Sequence, residues 1–127
     1  MSNRAVISTP SAPEAIGPYS QAVKVGNTVW LSGQIPLEPE SGELVAGDIR
    51  AQATRVFENL AAVAEAAGGS LNHAVKINIS LIDLADFAAV NEVMTAFVKE
   101  PYPARACVQV AALPRGAAIE VEAILAL

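Results

Sequence analysis

The chain has 127 residues, 53% apolar and only 17% charged, with a formal net charge of −5. That length suits one domain with its own core, needing neither metal nor disulfide to hold it together. The absence of a basic cluster disfavours nucleic acid as a partner, and a single cysteine and a single histidine leave no intrachain disulfide and no Cys- or His-rich metal cluster.

The N-terminus lacks an apolar signal core, and no run approaches the ~18 apolar residues of a membrane helix. A cytoplasmic protein with no membrane partner is the expectation, and residues 1–127 read as one domain without an internal repeat. The apolar excess predicts surface beyond what a small domain hides, as a subunit interface would use.

Residues 2–18, rich in Ser, Pro and Ala, read as an arm ending in the turn "IGPYS". "AVKV" and "TVWLSG", joined by Gly26-Asn27, read as a hairpin. "IPLEPESGEL" is a loop. Over 48–67, Ile49, Ala53, Val56, Phe57, Leu60, Val63, Ala64 and Ala67 trace one face of a helix, ended by Gly68-Gly69. "AVKINISLID" alternates, with Val75, Ile77, Ile79 and Leu81 on one face of a strand. A second helix is expected from near Asp86 to Lys99, entered past Asp83, with Phe87, Val90, Met94, Phe97 and Val98 as its stripe and Pro101 and Pro103 as its stop. Strands at 104–111 and 117–126 follow, joined by "ALPRGA".

The order β-β-α-β-α-β-β predicts an α+β fold. Two amphipathic helices cover one face of a mainly antiparallel sheet, and self-association covers the other. Two helices are too few for a doubly wound parallel sheet.

Strand 104–111 reads as short and buried, yet carries Arg105, and a guanidinium is almost never fully buried without a partner. Arg105, Cys107 and Gln109 share one face of it, and Glu120 and Glu122 share a face of the final strand. If "LPRG" closes a symmetric hairpin, all five lie on one surface, subject to a one-residue bulge. Arg105 then meets an acid, in one of two ways. It pairs with a neighbouring glutamate inside the sheet, or it stays free to grip a ligand carboxylate with an acid–base glutamate nearby.

The other polar positions carry similar alternatives. Asn91, on the stripe of the second helix, is a bonded core amide or a pocket residue. Tyr19 packs on a sheet edge or lines a site, and Ser32 ends a strand or does the same. Cys107 reads as a small buried apolar group, with no histidine beside it to make a thiolate. His73 and Trp30 read as packing or strand-end residues.

"IGPYSQAV", "LSGQIP" and "PARACVQVAALPRGAAIEVEAI" together resemble the reactive intermediate deaminase family (RidA, also called YjgF), over nearly the whole chain. The resemblance implies a chorismate-mutase-like fold. It also implies a homotrimer whose sheets close into a central barrel, with clefts between subunits. The implied activity is cofactor-free, metal-free hydrolysis of 2-imino acids of the 2-iminobutanoate and 2-iminopropanoate type, or their enamines, to 2-keto acids and ammonia. By the same resemblance Arg105 holds the substrate carboxylate, Glu120 positions or activates water, and Tyr19 is the pocket tyrosine. Ser32, Gly33, Asn91 and Cys107 line the pocket, some from across the subunit border. The connection "VKEPYPAR" is shorter than is usual in the family, and Leu31 stands where a small or hydroxylated residue is common. Two alternatives stand beside this function. One is a deaminase for a larger enamine such as 2-aminomuconate. The other is a non-enzymatic carboxylate-metabolite binder or chaperone-like trimer using the same cleft. Ribonuclease chemistry is disfavoured, because the chain has no basic groove and no pair of histidines.

Overall fold

A computed structural model describes residues 3–127. Six strands and two α-helices follow in chain order: β1 (Ala5–Ile7), β2 (Ala22–Val25), β3 (Thr28–Gln34), α1 (Ile49–Ala66), β4 (Ala74–Leu81), α2 (Phe87–Thr95), β5 (Ala104–Gln109) and β6 (Ile119–Ala126). Short 3-10 turns occupy 71–73, 84–86 and 114–116. Among the described residues, no helix is long and apolar enough to cross a membrane.

The strands form one sheet in the order β1-β2-β3-β6-β4-β5. Every pairing is antiparallel except β4 with β5, which is parallel. The mainly antiparallel expectation holds, but the C-terminal hairpin does not form. β6 is inserted between β3 and β4, and β5 lies beyond β4 at the sheet edge. The reason is the connection: α2 makes β4–α2–β5 a crossover unit, which delivers its second strand parallel to its first. The arm also differs from expectation, because Ala5–Ile7 adds a strand to β2. The β2–β3 turn is as expected, with Gly26 at φ +58°.

Helix α1 forms where its stripe predicts. Asp48 caps it, its side chain accepting from the Ala51 N–H at 3.0 Å. At the other end the Gly69 N–H returns to the Ala64 carbonyl and the Gly68 N–H to Glu65, each at 3.0 Å. Gly68 sits at φ +94°, so this is the left-handed glycine stop the sequence predicts. Ala53, Val56, Phe57, Leu60, Val63 and Ala64 are buried beneath it, against Val29, Leu31, Ile77, Ile79, Leu81, Ile119, Val121 and Leu125 of the sheet. Phe57 stacks on Phe97 with ring centroids 5.6 Å apart, joining the helical layer to the segment after α2.

Helix α2 is shorter than its apolar stripe. Beyond Thr95 the Ala96 and Phe97 N–H groups bond three residues back, to Val93 and Met94. The chain therefore tightens ahead of Pro101, whose preceding residue is disfavoured in the helical region. Val75 also departs from expectation. A register shift between Ala74 and Lys76 turns it outward, 49% exposed, away from buried Ile77, Ile79 and Leu81. Both helices pack on the same side of the sheet, leaving the other side open, with Trp30 and Val108 exposed on it.

Candidate functional site

The strand order decides which polar groups can meet. Across β4 and β5, Ile77 faces Arg105 and Ile79 faces Cys107. Ile77 and Ile79 are core residues, so Arg105 and Cys107 project on the helix side. Across β4 and β6, Ser80 faces Glu120 and Asn78 faces Glu122. Those glutamates alternate with buried Ile119 and Val121, so they project on the open side. The single surface expected from a hairpin is therefore split, with Arg105 and Glu120 on opposite faces of the sheet. The alternative in which the two pair inside one chain is excluded by this placement. Strand β5 is also no buried strand: it is an exposed edge, with only Cys107 half-buried along its length.

Among the described residues Arg105 meets no acid. Its guanidinium lies over the Phe87 ring, 5.0 Å from the centroid. Nη1 donates to Asn91 Oδ1 and approaches Met94 Sδ at 3.9 Å. Phe87, Asn91 and Met94 are spaced i, i+4, i+7, so one stripe of α2 supplies all three. Asn91 accepts from the arginine and lines the recess beside it. Each brace is neutral, and among the described residues no ion pair involves Arg105. Among the described residues the charge has no acidic partner, and the hydrogen bonds it makes run from Nη1. A recess of about 420 Å³ opens beside it, lined by Asn91, Met94, Thr95, Tyr102, Pro103 and Arg105. Cys107 stands two residues along the same face. Burial pushes its thiol up from the ordinary value, and the nearby Arg105 charge pulls it part of the way back. A raised thiol stays protonated near neutrality, which is the opposite of an activated nucleophile.

On the other side, Tyr19, Gly33 and Glu120 line a second recess of about 370 Å³, together with Pro114 and Arg115. The β3–β6 register shifts between Leu31 and Gln34, setting Ser32 and Gly33 against Glu122 as a bulge. The bulge brings the Gly33 backbone against Glu120: a Cβ on Gly33 would lie 2.9 Å from the Glu120 Cδ. Glu120 is half-buried, and its carboxyl is held above the usual glutamate range, first by burial and then by the charge of Glu122. Ser32 does not join this group. Its hydroxyl donates to the Ser20 carbonyl at 2.5 Å, and it lines a shallow groove with Trp30, Asn78 and Glu122.

Three contributors carry no site signal in the sequence: Phe87 and Met94, which read as helix stripe, and Arg115. Arg115 adopts φ +59° and ties the 113–116 turn to the 36–45 loop through the Gly42 carbonyl at 2.9 Å. The "PRG" turn is its only signal in sequence. His73 is structural, its Nδ1 accepting from the Ser70 N–H at 3.0 Å. Trp30, by contrast, stands mid-strand, 46% exposed on the open face.

The fold is α+β, with an arginine braced by neutral groups on the helix side of the sheet and a raised carboxyl on the open side. A family model described as Endoribonuclease L-PSP matches residues 9–127, and the chain belongs to this family, the YjgF/RidA family. It is 50% identical over 125 residues to a 2-iminobutanoate/2-iminopropanoate deaminase of Dermatophagoides farinae, covering 98% of each chain. Among solved structures, RidA from an Antarctic Psychrobacter superposes with a TM-score of 0.93 at 60% identity, covering 97% of this chain and 99% of that one. Escherichia coli TdcF, solved with bound serine, gives a TM-score of 0.91 at 44% identity, covering 97% and 98%.

Proposed function

We propose that this chain hydrolyses the C–N bond of reactive 2-imino acids, releasing 2-keto acids and ammonia, at sites completed between subunits of a homotrimer. The observation that carries the reading is Arg105. It is an arginine oriented by an aromatic ring, an amide and a thioether, and left without an acid. A substrate carboxylate supplies that acid through two parallel N–H···O bonds. The deaminase relative and the serine-bound relative are in keeping with it.

The reaction balances with water as the only co-reactant. Glu120 accepts a proton from water as the oxygen bonds to C2 of the protonated imine. It then gives that proton to the amine nitrogen; as the C–N bond breaks and the C=O bond forms, it takes the remaining hydroxyl proton and passes it to the departing ammonia, which leaves as ammonium. A carboxyl raised toward the working pH does both jobs better than a fully ionised one, and such a group contributes about 10²–10⁴-fold. Arg105 fixes the orientation. Tyr19 and Gly33 shape the Glu120 side, while Asn91 and Cys107 shape the Arg105 side.

A single chain keeps Arg105 and Glu120 on opposite faces, so a second copy has to bring its Glu120 to the first copy's Arg105. Closing three sheets into a barrel also covers the open face bearing Trp30 and Val108. Mixing inactive variants tests both parts. Arg105→Ala and Glu120→Ala are each expected to fail to release ammonia and keto acid from freshly generated imines. Refolded together in equal amounts, they recover about one quarter of wild-type turnover, because each site needs one intact group from each of two neighbours. Absence of recovery in properly assembled mixtures overturns the shared site. A wild-type protein that binds keto acids but hydrolyses no imine overturns the activity and leaves a metabolite-binding protein.

A further inference from the structure

We propose that the recess beside Arg105 is a side-chain subsite selecting 2-imino acids with bulky apolar or aromatic side chains, with Tyr102 as its specificity-determining wall; this rests on the deaminase reading above. Its polar groups gather at one end, at Arg105 and Asn91. The rest of the wall is Met94, Thr95, Tyr102 and Pro103. Thr95 spends its hydroxyl on the Glu92 carbonyl at 2.7 Å, so it adds little polarity to the wall. Tyr102 is 57% exposed, and its hydroxyl makes no hydrogen bond among the described residues. Pro101 and Pro103 flank it and fix their own φ angles, so the ring stands on a stiffened segment.

A carboxylate anchored on Arg105 leaves the substituent at C2 to lie along this wall. In the single chain the recess measures about 420 Å³ and is open on one side, so before a neighbouring subunit closes on it there is room for a side chain larger than that of a three- or four-carbon acid. A small substrate leaves part of that room to water. An aromatic or branched side chain displaces that water and packs on the Tyr102 ring.

The test compares imines generated by amino-acid oxidase from alanine, leucine and phenylalanine. For the wild type, kcat/KM for the phenylalanine-derived imine should exceed that for the alanine-derived one by about tenfold, the scale on which an apolar pocket discriminates. Tyr102→Ala should lower that ratio by about tenfold, and Tyr102→Phe should keep it. A wild-type ratio that falls with side-chain size, or a ratio unchanged in Tyr102→Ala, overturns the subsite and leaves the deaminase reading intact. If Tyr102→Ala does not fold, the wild-type series and the Kd of phenylpyruvate against pyruvate decide instead. If no imine is hydrolysed at all, the deaminase reading fails and the subsite is judged on those Kd values alone. Tighter phenylpyruvate then supports it, and the reverse overturns it.

Discussion

Gly33→Ala is the most direct probe of the Glu120 side, because its effect follows from one distance. Gly33 is not among the glycines with positive φ, so alanine suits the backbone. The added methyl would stand 2.9 Å from Glu120 Cδ, 3.0 Å from Oε1 and 3.1 Å from Cγ. Ordinary carbon–carbon contact is about 3.5–4.0 Å, so the carboxyl has to retreat by roughly 0.6–1.1 Å. It can, because it is the free end of a flexible side chain. The cost therefore falls on position rather than on folding, and a compatible Gly→Ala change gains about 0.4–1 kcal/mol through the unfolded state. A misplacement of about 1 Å costs on the order of 10²-fold in rate. The expected variant melts at or slightly above the wild-type temperature, binds 2-keto acids normally and turns over imines ~10²-fold more slowly. Turnover within twofold of wild type would refute the idea that the bulge sets the carboxyl. A large fall in Tm would place the close contact in packing instead.

The acid limb of turnover should report Glu120. A base has to be ionised, so activity falls as pH drops through a pKa held above the usual glutamate range, and Glu122→Gln, which removes the repelling charge, should move that limb to lower pH. An unmoved limb assigns it to another group. Cys107→Ala should cost less than about tenfold, because a thiol raised by burial is no nucleophile at neutral pH. Arg105→Lys loses the planar fork and should weaken keto-acid binding and catalysis together, so an equal loss from Cys107→Ala in intact protein contradicts these roles. Light scattering should give three chain masses, and a stable monomer at micromolar concentration defeats the shared site.

The elements were legible where periodicity was strong and end signals agreed. The α1 stripe, the Asp48 start and the Gly68-Gly69 stop all point to one helix, and that helix forms. The stripe of α2 also put Asn91 in line with Phe87 and Met94 but left open whether it was a core amide; the structure sets it against Arg105. Pairing was not legible. Alternation tells which residues of a strand share a face, but only the neighbouring strand tells which face that is. In β5 the apolar residues Ala106 and Val108 look outward, while Arg105 and Cys107 look toward α2, so hydrophobicity alone points the wrong way. An edge strand with its outer side open has little burial to fix its polarity. The companions of Arg105 are hidden for a related reason: an acid is the expected partner of a cation in a strand, and the neutral companions come from a helix.

That neutrality bears on chemistry. A glutamate beside Arg105 within the chain would occupy the fork and pull its own pKa down, giving a weak base and a blocked anchor. The crossover through α2 prevents this by putting β6 on one side of β4 and β5 on the other, with Glu120 and Arg105 facing apart. Glu120 instead sits half-buried beside a second carboxylate, and burial first, then that charge, raise it. Arg105 sits on a ring and an amide, which orient it without neutralising it. In the shared site proposed here the two meet only across a subunit border, where the substrate carboxylate lies on the arginine and satisfies it. The glutamate then faces an already compensated cation and remains able to move a proton.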